Sequence, residues 1–380
     1  MPQPEGKPLE IDVYLTNLAV GILPGIQDLQ GRRLFTNIPM ASKIGKYPRY
    51  DDFGDWNRVE GKELANREAP PTAGFGKPTT ELVEARKWGV HTDWTDDDLA
   101  EQDVFDDEMG DVSGLGGGAS AYELKKVRYV TRMAALRHEM DVIKMVRETN
   151  WGVKLQGTDN GDPAGSTTGS GNGFTGSFLQ WDDDAAEPIK LMKRLIRTMQ
   201  FHTGQKPNVA GIPGTVLDVL FEHPSFLDRV IGGATTERPA SVNLALLATM
   251  LGLEEIIELG TVINTAKEGQ AATHEWAWGF DVWIGYRPPA GQRDREAPAP
   301  AYNFTWTGRN GGKRPTPFQI AANDEGIFIN RYNLQKPATY NAESYLYTAP
   351  RVVARQMGII LKDVIPASAA PILGVGTYKD

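Results

Sequence analysis

Residues 120–150 read SAYELKKVRYVTRMAALRHEMDVIKMVRETN, and the rest of the chain is organised around this stretch. Ser120 followed at the third position by Glu123 is a capping box: the hydroxyl takes one free amide of a first helical turn and the carboxylate reaches back for another. Leu124, Val127, Val130 and Ala134, then Met133, Leu136, Met140 and Ile143, recur at steps of three and four, with Lys125, Arg128, Arg132, Arg137 and Lys144 between them. No Pro or Gly interrupts the run before Gly152. About thirty residues at roughly 1.5 Å each predict a rod of roughly 45 Å, longer than the ordinary helix of a compact domain. Periodicity alone is equally met by a long surface helix of any α+β protein, so the flanking sequence decides.

The flanks divide in character. Residues 1–57 are rich in apolar side chains (Val13, Leu15, Leu18, Val20, Ile22) but carry frequent Gly and Pro and no sustained period. Such a segment has to lie along something else. From Tyr47 to Trp94 extended pieces flank the breaker cluster Ala69–Gly74, with Thr80 to His91 as the returning strand. Paired, they form a long β-arm carrying Trp56, Trp88 and Trp94. A two-stranded ribbon is marginal in water and its edges invite another chain, so the arm is expected to dock on a neighbour. Asp93 to Glu108 is strongly acidic and fits no EF-hand spacing; it reads as a solvated face.

Beyond the rod, Thr158 to Gly176 reads as a mobile surface loop. Gly171, Gly173 and Gly176 have dinucleotide-loop spacing, but neither the preceding strand nor the helix that such a loop needs is present. Helices are predicted from Pro188 to Gly204, over Thr215–Glu222 and over Val242–Leu251, with strands at Asn208–Ile212 and Glu255–Ile263. Trp276 to Tyr286 alternates strictly and predicts one strand with a heavily buried face. Strands separated by helices from 187 to 286 make a mixed α/β lobe. After a Pro-rich connector (Pro288–Pro300), strands are predicted at Tyr302–Trp306, Glu325–Arg331 and Glu343–Thr348, with a last apolar piece at Gly358–Ile365.

Composition narrows the function. The 380 residues can form two or three cores. A net charge of −9 argues against a surface that grips nucleic-acid phosphates. With no cysteine there is no disulfide, no thiolate nucleophile and no Cys-ligated zinc. The N-terminus has no export-signal pattern and nowhere do eighteen apolar residues run together, so a cytosolic, non-membrane product is expected. The five histidines are scattered without metal-ligand spacing, and His138-Glu139 is expected to be solvated or at an interface. No nucleophile elbow or phosphate loop occurs. Catalytic residues, cofactors and metal sites are all read as none.

The order of features resembles the major capsid proteins of tailed bacteriophages, the HK97-like fold, over essentially the whole chain. The resemblance rests on Leu18-Ala19-Val20-Gly21 leading to Ile44-Gly45-Lys46-Tyr47-Pro48-Arg49-Tyr50, on Asp55-Trp56-Asn57-Arg58 and the Arg67-to-Gly74 cluster, and on Arg137-His138-Glu139 through Trp151-Gly152. It continues with Thr203–Asn208, Val216–Leu220, His223-Pro224, Gly260 through Asn264–Gly269, and the Trp-rich stretch Trp276 to Tyr286.

It implies an α+β fold: an N-terminal arm (1–57), an extended β-hairpin loop with an acidic connector (58–110), a peripheral domain (111–186 and 300–380) with the spine helix 120–150, and a mixed α/β axial domain (187–299). It further implies a non-enzymatic structural subunit of an icosahedral shell, self-assembling into hexamers and pentamers around double-stranded DNA without specific binding. The expected setting is the virion, after assembly in the host bacterial cytoplasm. Because the chain starts at the arm, a separate scaffolding protein is expected, with a portal and a possible decoration protein as further partners; no membrane is involved. Arg49, Trp56, Arg58, Arg67, Glu68 and Trp88 are the expected inter-subunit contacts. An encapsulin-like shell around a protein cargo is the alternative, and an enzyme or nucleotide binder using the glycine loop is the third reading.

Overall fold

The computed structural model describes residues 11–23, 29–54, 57–59, 63–64, 69–70, 78–98, 100, 121–170, 173–231, 243–267, 269–289, 297–308, 323–335 and 338–369. Its front portion is more ordered than the sequence pattern implies. Helix α1 (Val13–Ile22) starts at Asp12, whose side chain accepts from the Leu15 N–H at 2.9 Å. A 3₁₀ turn (Gly31–Leu34), strand β1 (Thr36–Met40) and strand β2 (Ile44–Arg49) follow. The expectation that this portion lacks cover of its own is corrected here. Leu15, Ala19, Leu23 and Leu29 pack into the chain's own core, and Thr16 Oγ1 accepts from the Ile329 N–H. Burial in α1 keeps a helical period, with Leu15, Thr16, Ala19 and Leu23 buried, but Val13 and Tyr14 on the outer side are apolar too, so the sequence shows little polar contrast.

The β-arm is also divided differently. β2 pairs antiparallel with β3 (Thr79–Glu84), while β4 (Arg86–Trp94) leaves the ribbon and pairs with a later strand of its own chain. Trp94 is buried there, and Trp88 is half-buried against the same core.

The long helix α2 spans Ala121–Glu148, 28 residues or about 42 Å. Its buried stripe runs Leu124, Val127, Val130, Ala134, His138, Glu139, Val142, Val146. Met133, Leu136 and Met140, expected on that face, are only half-buried. The phase therefore passes through a His-Glu pair that a hydrophobicity count reads as surface. Ser120 lies outside the described residues; Glu123 pairs with Arg331 at 3.3 Å.

The expected loop 158–176 is instead mostly strand: β5 (Val153–Thr158), β6 (Ser166–Ser170) and β7 (Gly173–Leu179). Glycine and threonine hide it, since a Cβ on Gly176 would lie 1.9 Å from the Ser166 carbonyl of the paired strand. The glycines thus belong to a hairpin rather than a phosphate loop. Helix α3 (Pro188–Thr203) ends at Gly204 as predicted. Then come β8 (Val209–Pro213), α4 (Gly214–Glu222), α5 (Pro224–Ile231) and α6 (Leu244–Leu251), of which α5 had no sequence counterpart.

Two further strand expectations break. Glu255–Ile263 splits into β9 (Glu255–Leu259) and β10 (Val262–Asn264). The Trp-rich stretch splits into β11 (His274–Trp276) and β12 (Val282–Gly285), separated by a turn in which Gly279 takes φ 58°. All four β12 residues are buried, because both faces of that strand are covered; the alternation was coincidental. β13 (Ala301–Trp306), β14 (Ile327–Gln335), β15 (Ala338–Val352) and β16 (Gly358–Lys362) complete the chain.

Two large sheets result. One has the order β6-β7-β5-β16-β12-β8-β9, so a single sheet runs across the expected boundaries at 186/187 and 299/300. In the other, β15 pairs with β13, β14 and β4, and β1 adds parallel to β13. Helix α2 joins them. Its first half packs with α1 on Ile327, Ile329, Ala342 and Leu346 of the second sheet. Its second half places Val142, Ile143 and Val146 with Trp151, Trp283 and Ile360 on the first. The opposite face of the first sheet is covered by α3, whose Ile189, Met192, Leu195 and Met199 are fully buried.

Candidate functional site

Among the described residues no group of three or more metal-ligating side chains comes together. Polar chemistry concentrates instead at two places along α2, and two large apolar side chains, Ile44 and Leu82, stand exposed on one face of the β2–β3 hairpin.

The first place is the buried junction at Glu139, which is 1% exposed. Its carboxylate accepts from the Gly31 N–H (2.8 Å), the Arg32 N–H (3.2 Å), Trp278 Nε1 (3.0 Å) and Thr261 Oγ1 (3.2 Å). Burial raises its pKa, against the pull of those four donors. Position 31 admits only glycine, since a Cβ would sit 2.3 Å from the Trp278 ring and 2.4 Å from the carboxylate. The neighbouring His138 is also buried, its imidazole held down to about 4 by burial and then by the Arg32 charge. About two turns further along, Arg147 donates to Asp281 at 2.8 Å. The expected solvated role of His138-Glu139 is thus overturned: Glu139 pins α2 to the 3₁₀ turn and to the turn before β12, and His138 is buried beside it.

The second place is a cleft of about 500 Å³ between the hairpin, the second half of α2 and the end of β15. Tyr47 and Arg49 of β2 both donate to Glu81 of β3, at 2.8 and 2.5 Å. Hydrogen bonds from Arg49 and Tyr47 lower the Glu81 pKa, and burial followed by the Glu81 contact raises that of Tyr47. Strand pairing sorts the hairpin into two faces. Tyr47 and Val83 point inward and are buried; Ile44 and Leu82, diagonal neighbours on the other face, are 60% and 68% exposed. Val59 and Leu64 in the connecting segment are exposed as well.

Of the residues expected at subunit contacts, Arg49, Arg58 and Trp88 are among the described ones. Arg49 lines the cleft and is committed to Glu81 and to Asp51 (3.1 Å). Trp88 lies under the Arg137 guanidinium, 4.0 Å from its ring centre. Arg58 is exposed. Trp56, Arg67 and Glu68 lie outside the described residues. Sequence reasoning missed Ile44 and Leu82; the available signal was that Ile44, Lys46 and Pro48 alternate with Gly45, Tyr47 and Arg49, which leaves apolar groups on both faces.

No protein-family model and no curated protein sequence matches the chain. Among solved structures, a phage-related protein from Bordetella bronchiseptica matches with a TM-score of 0.63 and 18% identity, over 95% of this chain and 100% of that one. A virus-like particle from Pyrococcus furiosus matches with a TM-score of 0.45 and 10% identity, over 92% and 98% of the two chains. A putative capsid protein of an E. coli prophage matches with a TM-score of 0.40 and 10% identity, over 94% and 99%. At such identity a likeness speaks for the fold alone: the chain shares the α+β fold of the Bordetella bronchiseptica phage-related protein.

Proposed function

We propose that this chain is the structural subunit of an icosahedral phage capsid, assembling with copies of itself into hexamers and pentamers that close around double-stranded DNA. The observation that carries the reading is the outer face of the β2–β3 hairpin. Of nine exposed large apolar side chains among the described residues, Ile44, Val59, Leu64 and Leu82 fall between positions 44 and 82. Apolar residues scattered singly over a surface need no explanation, but Ile44 and Leu82, diagonal neighbours on one face of a ribbon, make an edge that a partner would cover. Residues 58–110 then supply the extended loop and its acidic connector, with β2 as the partner strand, α2 is the spine, and residues 187–299 make the axial part. Residues 1–57 keep the place of the N-terminal arm, although Leu15, Ala19, Leu23 and Leu29 pack on the chain's own core.

The chain does no chemistry in this reading, and its negative charge keeps packaged DNA loosely held. The virion is its place, after assembly in the bacterial cytoplasm with a separate scaffolding protein, a portal and a decoration protein as partners. Sedimentation velocity and negative-stain microscopy of the full chain, alone and with its neighbouring gene products, test it. Closed shells or ring-shaped capsomers are expected. A chain that stays monomeric at every concentration and in every mixture would overturn the proposal.

A further inference from the structure

The cleft beside the hairpin has a charge character that the capsid reading leaves unused. It is lined by six cationic side chains (Arg49, Arg86, Arg137, Lys144, Arg351, Arg355) and three anionic ones (Glu81, Asp141, Glu148). Four of the cations have carboxylate partners within the chain: Arg49, Arg137 and Arg355, and Lys144 only at 3.9 Å. Arg86 and Arg351 form no ion pair among the described residues. The cleft is therefore cationic in a molecule whose net charge is −9.

The opposite charge lies at the other end of the same strand. β4 begins at Arg86, on the cleft, and ends at Trp94; its nine residues set the two ends about 26 Å apart. Helix α2 runs antiparallel beside it, with Lys126 at Asp93 and Arg137 at Trp88. Immediately past Trp94 stand Asp96, Asp97 and Asp98, all exposed, and in sequence the acidic run continues through Glu101, Asp103, Asp106, Asp107 and Glu108 without one Lys or Arg. The molecule thus has a basic end and an acidic end along one rigid rib, too far apart for the described acids to fill their own cleft.

We propose that the cleft of one copy receives the acidic run beginning at Asp96 of a second copy. The contact is heterologous, head to tail, the type that closes into rings. It rests on the shell-subunit reading and adds to it which surfaces meet and in what direction. A carboxylate-rich segment suits the cleft better than a nucleic-acid backbone. Glu81, Asp141 and Glu148 stand among the cations and would repel a continuous line of phosphates, whereas a peptide places its charges with gaps.

The test uses two full-length variants, Arg86→Glu/Lys144→Glu in the cleft and Asp97→Lys/Asp98→Lys in the acidic run. All four positions are exposed, and melting temperature controls for the fold. Each variant alone should need on the order of tenfold more protein to assemble, as expected when like charges face each other across a contact. An equal mixture of the two should form six-membered rings at concentrations close to those of the unmodified chain, because in an alternating even ring each cleft meets the opposite charge on the other variant. Assembly of the unmodified chain should also weaken at high salt.

Variants that each assemble normally, or a mixture no better than its components, would overturn the pairing and leave the subunit reading standing. A cleft variant that loses binding to a duplex oligonucleotide while assembling normally would overturn it in favour of phosphate recognition. An unmodified chain that never associates would remove both.

Discussion

The Glu139 junction and the outer face of the β2–β3 hairpin are opposites. At the junction a charged group lies in the interior, 1% exposed, and every feature around it answers it: two backbone amides, an indole, a hydroxyl and a glycine that leaves room. At the hairpin two large apolar groups lie in water, with Lys46 and Glu84 beside them and nothing above. Burying a carboxylate is costly unless it is fully hydrogen-bonded, and leaving an Ile and a Leu exposed forgoes roughly 1.5–3 kcal/mol each. The junction is complete within one chain; the hairpin becomes so only against another. Substitutions that separate folding from association test this contrast.

The largest effect on the fold is expected at the junction. Glu139→Ala removes the acceptor and leaves the Gly31 and Arg32 amides and Trp278 Nε1 buried without partners. Roughly 3–5 kcal/mol of stability should be lost, as when one side of a buried charged network is deleted. Denaturant unfolding of unassembled protein measures it. Glu139→Gln, which keeps one acceptor oxygen, should lose less. A loss below about 1 kcal/mol for the alanine variant would mean that the junction does not hold the spine, a conclusion outside the usual range for such deletions.

Next comes His138, which shares a small cavity with Arg32, Asn37 and Glu325. Its folded-state pKa lies near 4, against 6.5 when unfolded. The unfolded chain therefore binds the proton first. This contribution to stability is fully present above pH 6.5 and is lost as pH falls toward 4, with a full size of about 3 kcal/mol. Other groups titrate in the same window, so the relevant quantity is the difference between the native chain and His138→Leu. The native chain should lose more stability than the variant between neutral pH and pH 4. Equal losses would place the imidazole in contact with water.

The same contrast explains what the sequence disclosed. Elements whose environment is uniform along their length were legible: the span of α2, α3 with its closing Gly204, and β13 with Tyr302, Phe304 and Trp306. Elements whose surroundings change from residue to residue were not. Helix α1 passes from buried Leu15, Thr16 and Ala19 to exposed Val13 and Tyr14 that are apolar as well, which hides its period; the Trp-rich run is broken by the turn at Gly279 before β12 begins. The glycine-rich β6–β7 hairpin looked like a loop because its close pairing demands residues that strands usually avoid. At the site the pairing of β2 with a returning strand was legible from the extended sequence on either side of the Pro/Gly cluster, whereas the departure of β4 to pair with β15 was not. The cleft and the Glu139 junction were not, because they join residues such as Gly31, Glu139, Thr261 and Trp278 that only the fold brings together.

The smallest effect on the fold, and the one on which the comparison turns, belongs to the double substitution Ile44→Ser/Leu82→Ser. Both side chains stand on the exposed face of their strands, so unfolding of the unassembled protein should change by no more than about 0.5 kcal/mol, the usual range for surface sites. Association should respond very differently. If each side chain becomes buried at a contact with another copy, losing both removes roughly 3–6 kcal/mol of apolar burial per contact before ordering costs are subtracted. The concentration needed for assembly, read by sedimentation, should then rise by at least about a hundredfold. Val13→Ser, also at an exposed apolar position but on α1 and away from the hairpin, provides the control and should assemble normally. If the hairpin variant assembled as readily as that control, Ile44 and Leu82 would be ordinary surface residues, and the hairpin would be no less complete in one chain than the junction.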